Sequence, residues 1–284
     1  MTAPIVRTLA ELRQMTRGWQ RAGETIGVVP TMGALHDGHL SLVARAKEMS
    51  DRVIVTIFVN PKQFNNPEDL ANYPRTEHED ARKLERFAVD AIYVPDGAQM
   101  YPDGFATTVS VDGLTNVLCG AHRPGHFDGV ATIVTKLFTQ TSADLAFFGE
   151  KDFQQLQVVR RLARDLDLGV KVVGCPTIRE IDGLAMSSRN LLLSDQARSR
   201  ASALNEVMED MVDQLGQGAS MADLLPNAEA RLAAAGFGDI DYLEMRTNDT
   251  FSLIERAGTP ARLFAAVYMA GVRLIDNIDV PLAR

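Results

Sequence analysis

Cysteine is scarce: Cys119 and Cys175 are the two in 284 residues. They form no CxxC pair and have no zinc-finger spacing, so they read as reduced thiols of a cytoplasmic protein. Basic charge is also short. Lys and Arg total 29 against 37 for Asp and Glu, a net charge of −8. That balance argues against nucleic acid or an anionic membrane as the main partner, since both need a net basic face. It leaves room for a small anionic ligand, which needs only a few placed cations. The longest apolar stretch, residues 263–272, is too short to span a bilayer and reads as a buried strand. The amino terminus carries no apolar h-region, so secretion is not expected. There is no internal repeat and no low-complexity tract.

What is present begins with residues 25–39. The apolar run 25–29 reads as a buried strand that ends at Pro30, which cannot donate to a sheet ladder. Thr31, Met32 and Gly33 follow, then Ala34, Leu35 and the HxGH sequence His36-Asp37-Gly38-His39. From His39 the pattern turns helical, with Leu40, Val43, Ala44 and Lys47 on one side. A loop between strand and helix lies at the carboxyl end of the strand, where open α/β sheets bind ligands. The helix start adds N–H groups and partial positive charge that suit a phosphate. Two imidazoles there can donate to nucleotide phosphate oxygens, and Gly38 leaves room for the nucleotide. Metal ligation and an ordinary surface loop are the other readings of the two histidines. No third ligand at a suitable spacing supports the metal.

The rest of the chain extends the pattern. Thr8 and Glu11 have capping-box spacing at the start of a helix over 8–19, in which Leu9, Leu12 and Trp19 share a face. The β-branched run 52–59 reads as a strand buried on both faces, completing a βαβ unit. It ends at Asn60-Pro61-Lys62-Gln63. This is either a turn opener or a pair of neutral amides, Asn60 and Gln63, that hold a hydroxyl or carboxylate. Thr76 and Glu79 again suggest a capping box, before a helix with Ala81, Leu84 and Ala88 inward; Glu79 and Asp80 are alternatively acids for Mg2+. Residues 91–94 and 107–111 read as strands, and 120–130 as a Gly- and Pro-containing loop whose Arg123 binds a phosphate or carboxylate or pairs with a surface acid.

Residues 144–148 read as the next buried strand, followed by Gly149, Glu150, Lys151 and Asp152 and a helix over 153–166 with Leu156, Val159, Ala163 and Leu166 inward. Lys151 then reaches an anion at the strand edge. Asp152 and Gln155 either form a capping box, or Asp152 caps alone and leaves Gln155 to a substrate. A strand over 171–174 and a turn at Asp182-Gly183 lead to Met186-Ser187-Ser188-Arg189-Asn190, a clamp for phosphates or a plain solvent loop. After Leu193 the βαβ pattern stops. Ser194 caps a long helix carrying Ala197, Ala201, Leu204, Met208, Met211 and Leu215. A second helix covers about 222–235, and 240–246 and 262–270 read as antiparallel strands. The chain is therefore read as an α/β protein in two domains. Residues 1–180 form a Rossmann-like parallel-sheet nucleotide-binding domain, and residues 181–284 a smaller C-terminal α+β lid domain.

In order, PTMGALHDGH (30–39), NPKQF (60–64), YPR (73–75), RPGHFDGV (123–130), GEKDFQQ (149–155) and MSSRN (186–190) resemble the pantoate–β-alanine ligase (pantothenate synthetase) family. That family belongs to the class I nucleotidyltransferases. Their HIGH and KMSKS motifs correspond to residues 36–39 and 186–189, and the second departs from KMSKS as this family does. The resemblance implies that ATP and pantoate give pantoyl adenylate and pyrophosphate with Mg2+, and that β-alanine then gives pantothenate and AMP. It implies His36, His39, Lys151, Ser187, Ser188 and Arg189 as donors to the phosphates, with His39 aligned to the family's proton donor. It places ATP against Thr31, Met32, Gly33, Ala34, Leu35, His36, Asp37, Gly38 and His39. Further ATP contacts are Gly149, Glu150, Lys151 and Asp152, the backbone of Ile178, and Met186, Ser187, Ser188 and Arg189. Gln63 and Gln155 would hold pantoate, with Asn60 and Arg123 near that site. No protein ligand of Mg2+ is implied. A homodimer through the first domain is implied, as is closure of the hinge and the MSSRN loop over the adenylate. Two rival readings are a nucleotidylyltransferase acting on a phosphate acceptor and a non-catalytic nucleotide sensor. The first would want more basic groups than Gln63 and Gln155 provide, and the second has no need of His36, His39, Lys151 and Arg189.

Overall fold

The computed structural model describes residues 3–282. In chain order, Ile5–Val6 (β1), Ile26–Thr31 (β2), Arg52–Ile57 (β3), Ala91–Tyr93 (β4), Leu145–Gly149 (β5) and Lys171–Cys175 (β6) build one sheet. The order is β1-β4-β3-β2-β5-β6, and every pair is parallel. Val28, Val29, Val53, Ile54, Val55, Ala146 and Phe147 have no exposed surface, as expected of strands covered on both faces. Each fully buried Val or Phe of this kind stabilises the fold by about 1.5–3 kcal/mol. The crossovers carry helices Leu9–Arg21 (α1), Asp37–Met49 (α2), Glu77–Leu84 (α3), His126–Thr141 (α4) and Phe153–Asp165 (α5). The strand order reverses between β2 and β5, so the crevice at their carboxyl ends is the switch point where such sheets take ligands. The amino edge is chemically different. There Asp90 and Glu24 bind Arg52, and Asp144 accepts from Ile26 N.

Chain contacts divide the protein into two units. The first comprises the described residues of Met1–Thr115, Arg123–Glu150 and Gln154–Pro176; the second comprises Asn116–His122, Lys151–Phe153 and those of Thr177–Arg284. The main division thus falls four residues before the expected 180, and two short segments from the expected first domain belong to the second unit. In the second unit Phe237–Thr247 (β7), Ala261–Met269 (β8) and Val272–Val280 (β9) form an antiparallel sheet in that order. Ala203–Gly216 (α6) and Met221–Ala235 (α7) share its core, with Leu204, Met208, Met211, Leu215 and Leu232 against Met245, Leu263 and Val267.

Several expectations are corrected. Pro30 lies inside β2, opposite Thr56. Thr25 and Thr31 carbonyls accept from β3, whereas the Ile26 carbonyl accepts from Asp144. Even-numbered β2 residues therefore face β5, whose ladder to β2 ends at Val28. β5 itself runs on to Gly149, so its ladder to β2 stops where Pro30 has no N–H to give, and the pairing with β3 carries β2 on to Thr31. Residues 107–111 form no strand, because Val109 N and the Ser110 hydroxyl donate to Thr132 and Asp128 of α4. Residues 120–130 are largely helical, with Gly125 (φ +77) capping a helix that begins at His126. The Ser194 cap serves only Asp195–Arg198, and α6 starts afresh at Ala203. Thr76 makes no cap bond, since its hydroxyl donates to Asp80. Ala88 ends its helical turn in the left-handed region and is exposed, and Leu166 is likewise exposed.

Candidate active site

β2 hands the chain to a loop whose shape is fixed from three sides. The Thr31 hydroxyl donates to Thr56 O (2.7 Å) and accepts from Gly33 N (3.2 Å). Gly33 has φ +85, and a Cβ there would sit 3.1 Å from Ile57 Cγ2, so the turn needs glycine. Ala34 follows at φ +51. A residue other than Gly, Asn or Asp is uncommon there, and the conformation persists only if its surroundings hold it. They do: Ala34 N and Leu35 N donate to the two carboxylate oxygens of Asp80 (2.9 and 2.8 Å), and Lys83 Nζ donates to Leu35 O (2.6 Å). Asp80 has no exposed surface. Its oxygens are occupied by these donors and by Thr76, which removes it as an acid for Mg2+.

The loop delivers His36 to the N-cap of α2, two residues earlier than the sequence pattern places the helix start. His39 is then on the first turn, and the two rings meet with centroids 4.1 Å apart at 39°. His36 N donates to His39 Nδ1 (3.5 Å). Asp37, on the same turn, is exposed and pairs with Arg86. Gly38 O accepts from the Ser41 hydroxyl. The α2 amino terminus thus presents partial positive charge together with two imidazoles.

β3 ends beside this loop and supplies the amides. Pro61–Gln63 is a single 3₁₀ turn, and Asn60 opens it by accepting from Lys62 N. The Asn60 side chain is 1% exposed; it also accepts from Tyr101 OH (2.7 Å) and donates to Gln63 Oε1 (3.1 Å) and Gly129 O (3.0 Å). Burial pushes the Tyr101 phenol up to about 12, so it stays a donor at neutral pH. Asn60 therefore acts on Gln63 rather than on solvent. Gln63 Nε2 in turn reaches Met32 Sδ (3.0 Å), which ties the turn to the loop after β2. The Gln63 carbonyl accepts from Arg123 Nη2 (3.1 Å) and from His126 Nδ1 (2.8 Å). Gly129 lets α4 approach this closely, since a Cβ there would collide with the Lys62 carbonyl.

On the far side of the switch point, Gly149 closes β5 opposite Cys175, with Glu150 next in the chain. Gln155 is half-buried on the first turn of α5. The remaining candidates lie in the second unit. Lys151 is 3.8 Å from Asp152 through its ammonium, and its carbonyl accepts from Asn277 Nδ2. Ile178 O accepts from Met186 N, closing a hairpin whose turn is Gly183 (φ +90). The Ser187 hydroxyl accepts from Arg189 N and caps a 3₁₀ helix that buries Ser188 and Asn190 and leaves Arg189 half-buried.

Met32, Asn60, Gln63 and Arg123 thus form one bonded cluster, and His36 stacks on His39. Lys151, Asp152, Ile178 and residues 186–189 belong to the other unit. Sequence reasoning did not single out the anchoring roles of Asp80, Lys83, Tyr101, His126 and Gly129. The signals available were Asp80 following a Thr at i−4 and His126 three residues after Arg123.

The family model described as pantoate-beta-alanine ligase matches residues 4–279. The pantothenate synthetase of Roseobacter denitrificans is 70% identical over 284 residues, covering 100% of both chains. A crystal structure of pantothenate synthetase from Thermus thermophilus has a TM-score of 0.91 at 45% identity, covering 98% of this chain and 99% of that one. A structure of pantoate-beta-alanine ligase from Francisella tularensis, complexed with beta-gamma ATP and beta-alanine, has a TM-score of 0.84 at 33% identity over 98% and 97% of the two chains. With the sheet, the motif order and relatives matched end to end, this chain belongs to the pantoate–β-alanine ligase family.

Proposed function

We propose that this protein joins pantoate to β-alanine at the expense of ATP, through enzyme-bound pantoyl adenylate, giving pantothenate, AMP and pyrophosphate. One pantoate carboxylate oxygen attacks the α-phosphorus and pyrophosphate leaves. The β-alanine amine then attacks the acyl carbon, AMP leaves and the amine loses a proton. Negative charge builds on the phosphates in the first step, and donors aimed there lower the barrier. We assign that work to His36, His39, Lys151, Ser187, Ser188 and Arg189. ATP lies along residues 31–39 and 149–152, the Ile178 backbone and Met186. Gln63 and Gln155 hold pantoate. Asn60 and Arg123 set the Gln63 turn.

The observation that carries this reading is the pairing at one sheet edge of a phosphate-directed helix start with an anchored neutral amide. The imidazoles of α2 serve a nucleotide. Gln63, held through Asn60 and Met32, suits a hydroxy acid better than a second phosphate. That favours the ligase over a nucleotidylyltransferase. Mg2+ enters as the companion of ATP. Among the described residues no three His, Cys, Asp or Glu side chains gather as a metal site, so no step is assigned to a protein-bound ion. A homodimer and a cytoplasmic location complete the proposal. Cys119 and Cys175 are buried, as fits thiols of a reducing compartment, and among the described residues no helix is long and apolar enough to cross a membrane.

The test is AMP release by the purified protein with MgATP and pantoate, with and without β-alanine. Multiple turnovers of AMP that require both substrates, reduced at least about 100-fold in His39→Ala and Lys151→Ala, are expected. Pyrophosphate without AMP, or turnover independent of β-alanine, would sink the ligase reading. Sedimentation velocity checks the dimer.

A further inference from the structure

Strand β9 contains a buried polar step, Asp276-Asn277, that neither the motifs nor the proposed chemistry uses. Both residues are 3% exposed. Buried polar side chains in a strand weaken a core unless each is paired. Here each is paired, and each pair leads to a segment assigned to ATP.

Consecutive strand residues point to opposite faces of a sheet. Asp276 binds the Arg179 guanidinium in two-pronged fashion (2.6 and 3.0 Å). Arg179 Nη1 also donates to Gly183 O (3.0 Å), across the turn of its own hairpin. That hairpin closes through Glu180 N to Leu184 O, the Arg179–Ala185 bridge and Met186 N to Ile178 O. Residue 186 opens the Met186–Arg189 segment. Asn277 Nδ2 donates to the carbonyl of Lys151 (2.8 Å), while its Oδ1 accepts from Arg262 Nη1 (2.8 Å). The Arg262 guanidinium lies 4.2 Å over the Phe153 ring, two residues beyond Lys151. Asp276 Oδ1 further accepts from Asn277 N, linking the two residues directly.

We propose that Asp276 and Asn277 are positioning residues for adenylate formation: from the two faces of β9 they fix Met186–Arg189 and Lys151 in one frame. The inference rests on the assignment of those segments to the ATP phosphates. Its physical basis is that donors to a developing charge act only when held in place, and a displacement near 1 Å costs about 100-fold in rate. Neither residue need touch a substrate.

The test uses Asn277→Asp, Asp276→Asn and the pair Asp276→Leu with Arg179→Met in the full-length protein. Asn277→Asp keeps the acceptor for Arg262 and removes the donor to Lys151. The double variant removes a buried ion pair without stranding a charge, a change that is often neutral or stabilising. Wild-type turnover is measured first; if it fails to make pantothenate, the functional reading fails, separately from this one. With wild type active, folded variants are expected to lose about 10- to 100-fold in kcat for pyrophosphate formation. The KM for pantoate is expected to stay within about twofold, because Gln63 is untouched. Hydrogen exchange is expected to quicken at residues 151–153 in Asn277→Asp and at 184–190 in the other two. Should Asp276→Asn not fold, the double variant carries that arm. Wild-type kcat and exchange in folded Asn277→Asp and in the double variant would overturn the proposal, as would a kcat loss that merely follows a falling melting temperature.

Discussion

Asp80→Asn is the most exacting test of how the loop after β2 is held. Asp80 is wholly buried, and its two oxygens accept from Ala34 N at 2.9 Å and Leu35 N at 2.8 Å. Asparagine keeps the shape and one oxygen. Whichever way the amide turns, one of the two backbone N–H groups faces an NH2 group. A hydrogen bond to a charged acceptor contributes about 1.5–3 kcal/mol, and a buried N–H left without an acceptor costs about 1–3 kcal/mol. These overlap, so the expected loss is about 3 kcal/mol rather than their sum. The only tryptophan, Trp19, lies in α1 of the same unit, and its fluorescence follows that unit in urea. With a slope of about 2 kcal/mol per molar, the midpoint should fall by about 1.5 M. Ala34 sits at φ +51 and relaxes once released, so the KM for ATP should rise as well. A midpoint within about 0.3 M of wild type, with an unchanged KM for ATP, would refute the claim that Asp80 holds the loop.

Two further outcomes follow from the same geometry. Gly129→Ala places a methyl group against the Lys62 carbonyl, so α4 must part from the Gln63 turn; a loss of about 1–3 kcal/mol and a raised KM for pantoate, with the KM for ATP nearly unchanged, are expected in steady-state assays. The Arg198 guanidinium holds the Asp182 carboxyl below its ordinary range. Its contribution is therefore present above the unfolded Asp value near 3.9 and is lost as pH falls through the lower folded value. The pair is partly exposed, so the effect is small, and Asp182→Asn should flatten the acid limb of the stability curve slightly while lowering the plateau above pH 5.

Local chemistry made much of this protein legible. β2 and β3 are rich in Val and Ile, as strands covered on both faces are, and the Thr8–Glu11 capping box starts α1 as its spacing predicts. The βαβ order fixed the α/β class, and the motif order pointed to the family. What the sequence left open depended on partners distant in the chain. Pro30 stays in its strand because β3 pairs with β2 as far as Thr31, while the ladder to β5 ends at Val28 although β5 itself runs on to Gly149. Thr76 abandons its cap for Asp80 because the loop at 34–35 brings two N–H groups to that carboxylate, 45 and 46 residues away. Residues 107–111 lose their strand to side chains on α4. Strand β9 was hidden because Asp276 and Asn277 interrupt its apolar pattern, and they are tolerated only where Arg179, Arg262 and Lys151 meet them. Periodicity reports which face a segment buries, whereas the partner of a buried polar group is set by the packing of the whole chain. The sequence alone therefore determined the sheet class and the chemistry on offer; the tertiary structure decided which polar groups anchor that chemistry and which are left to meet a substrate.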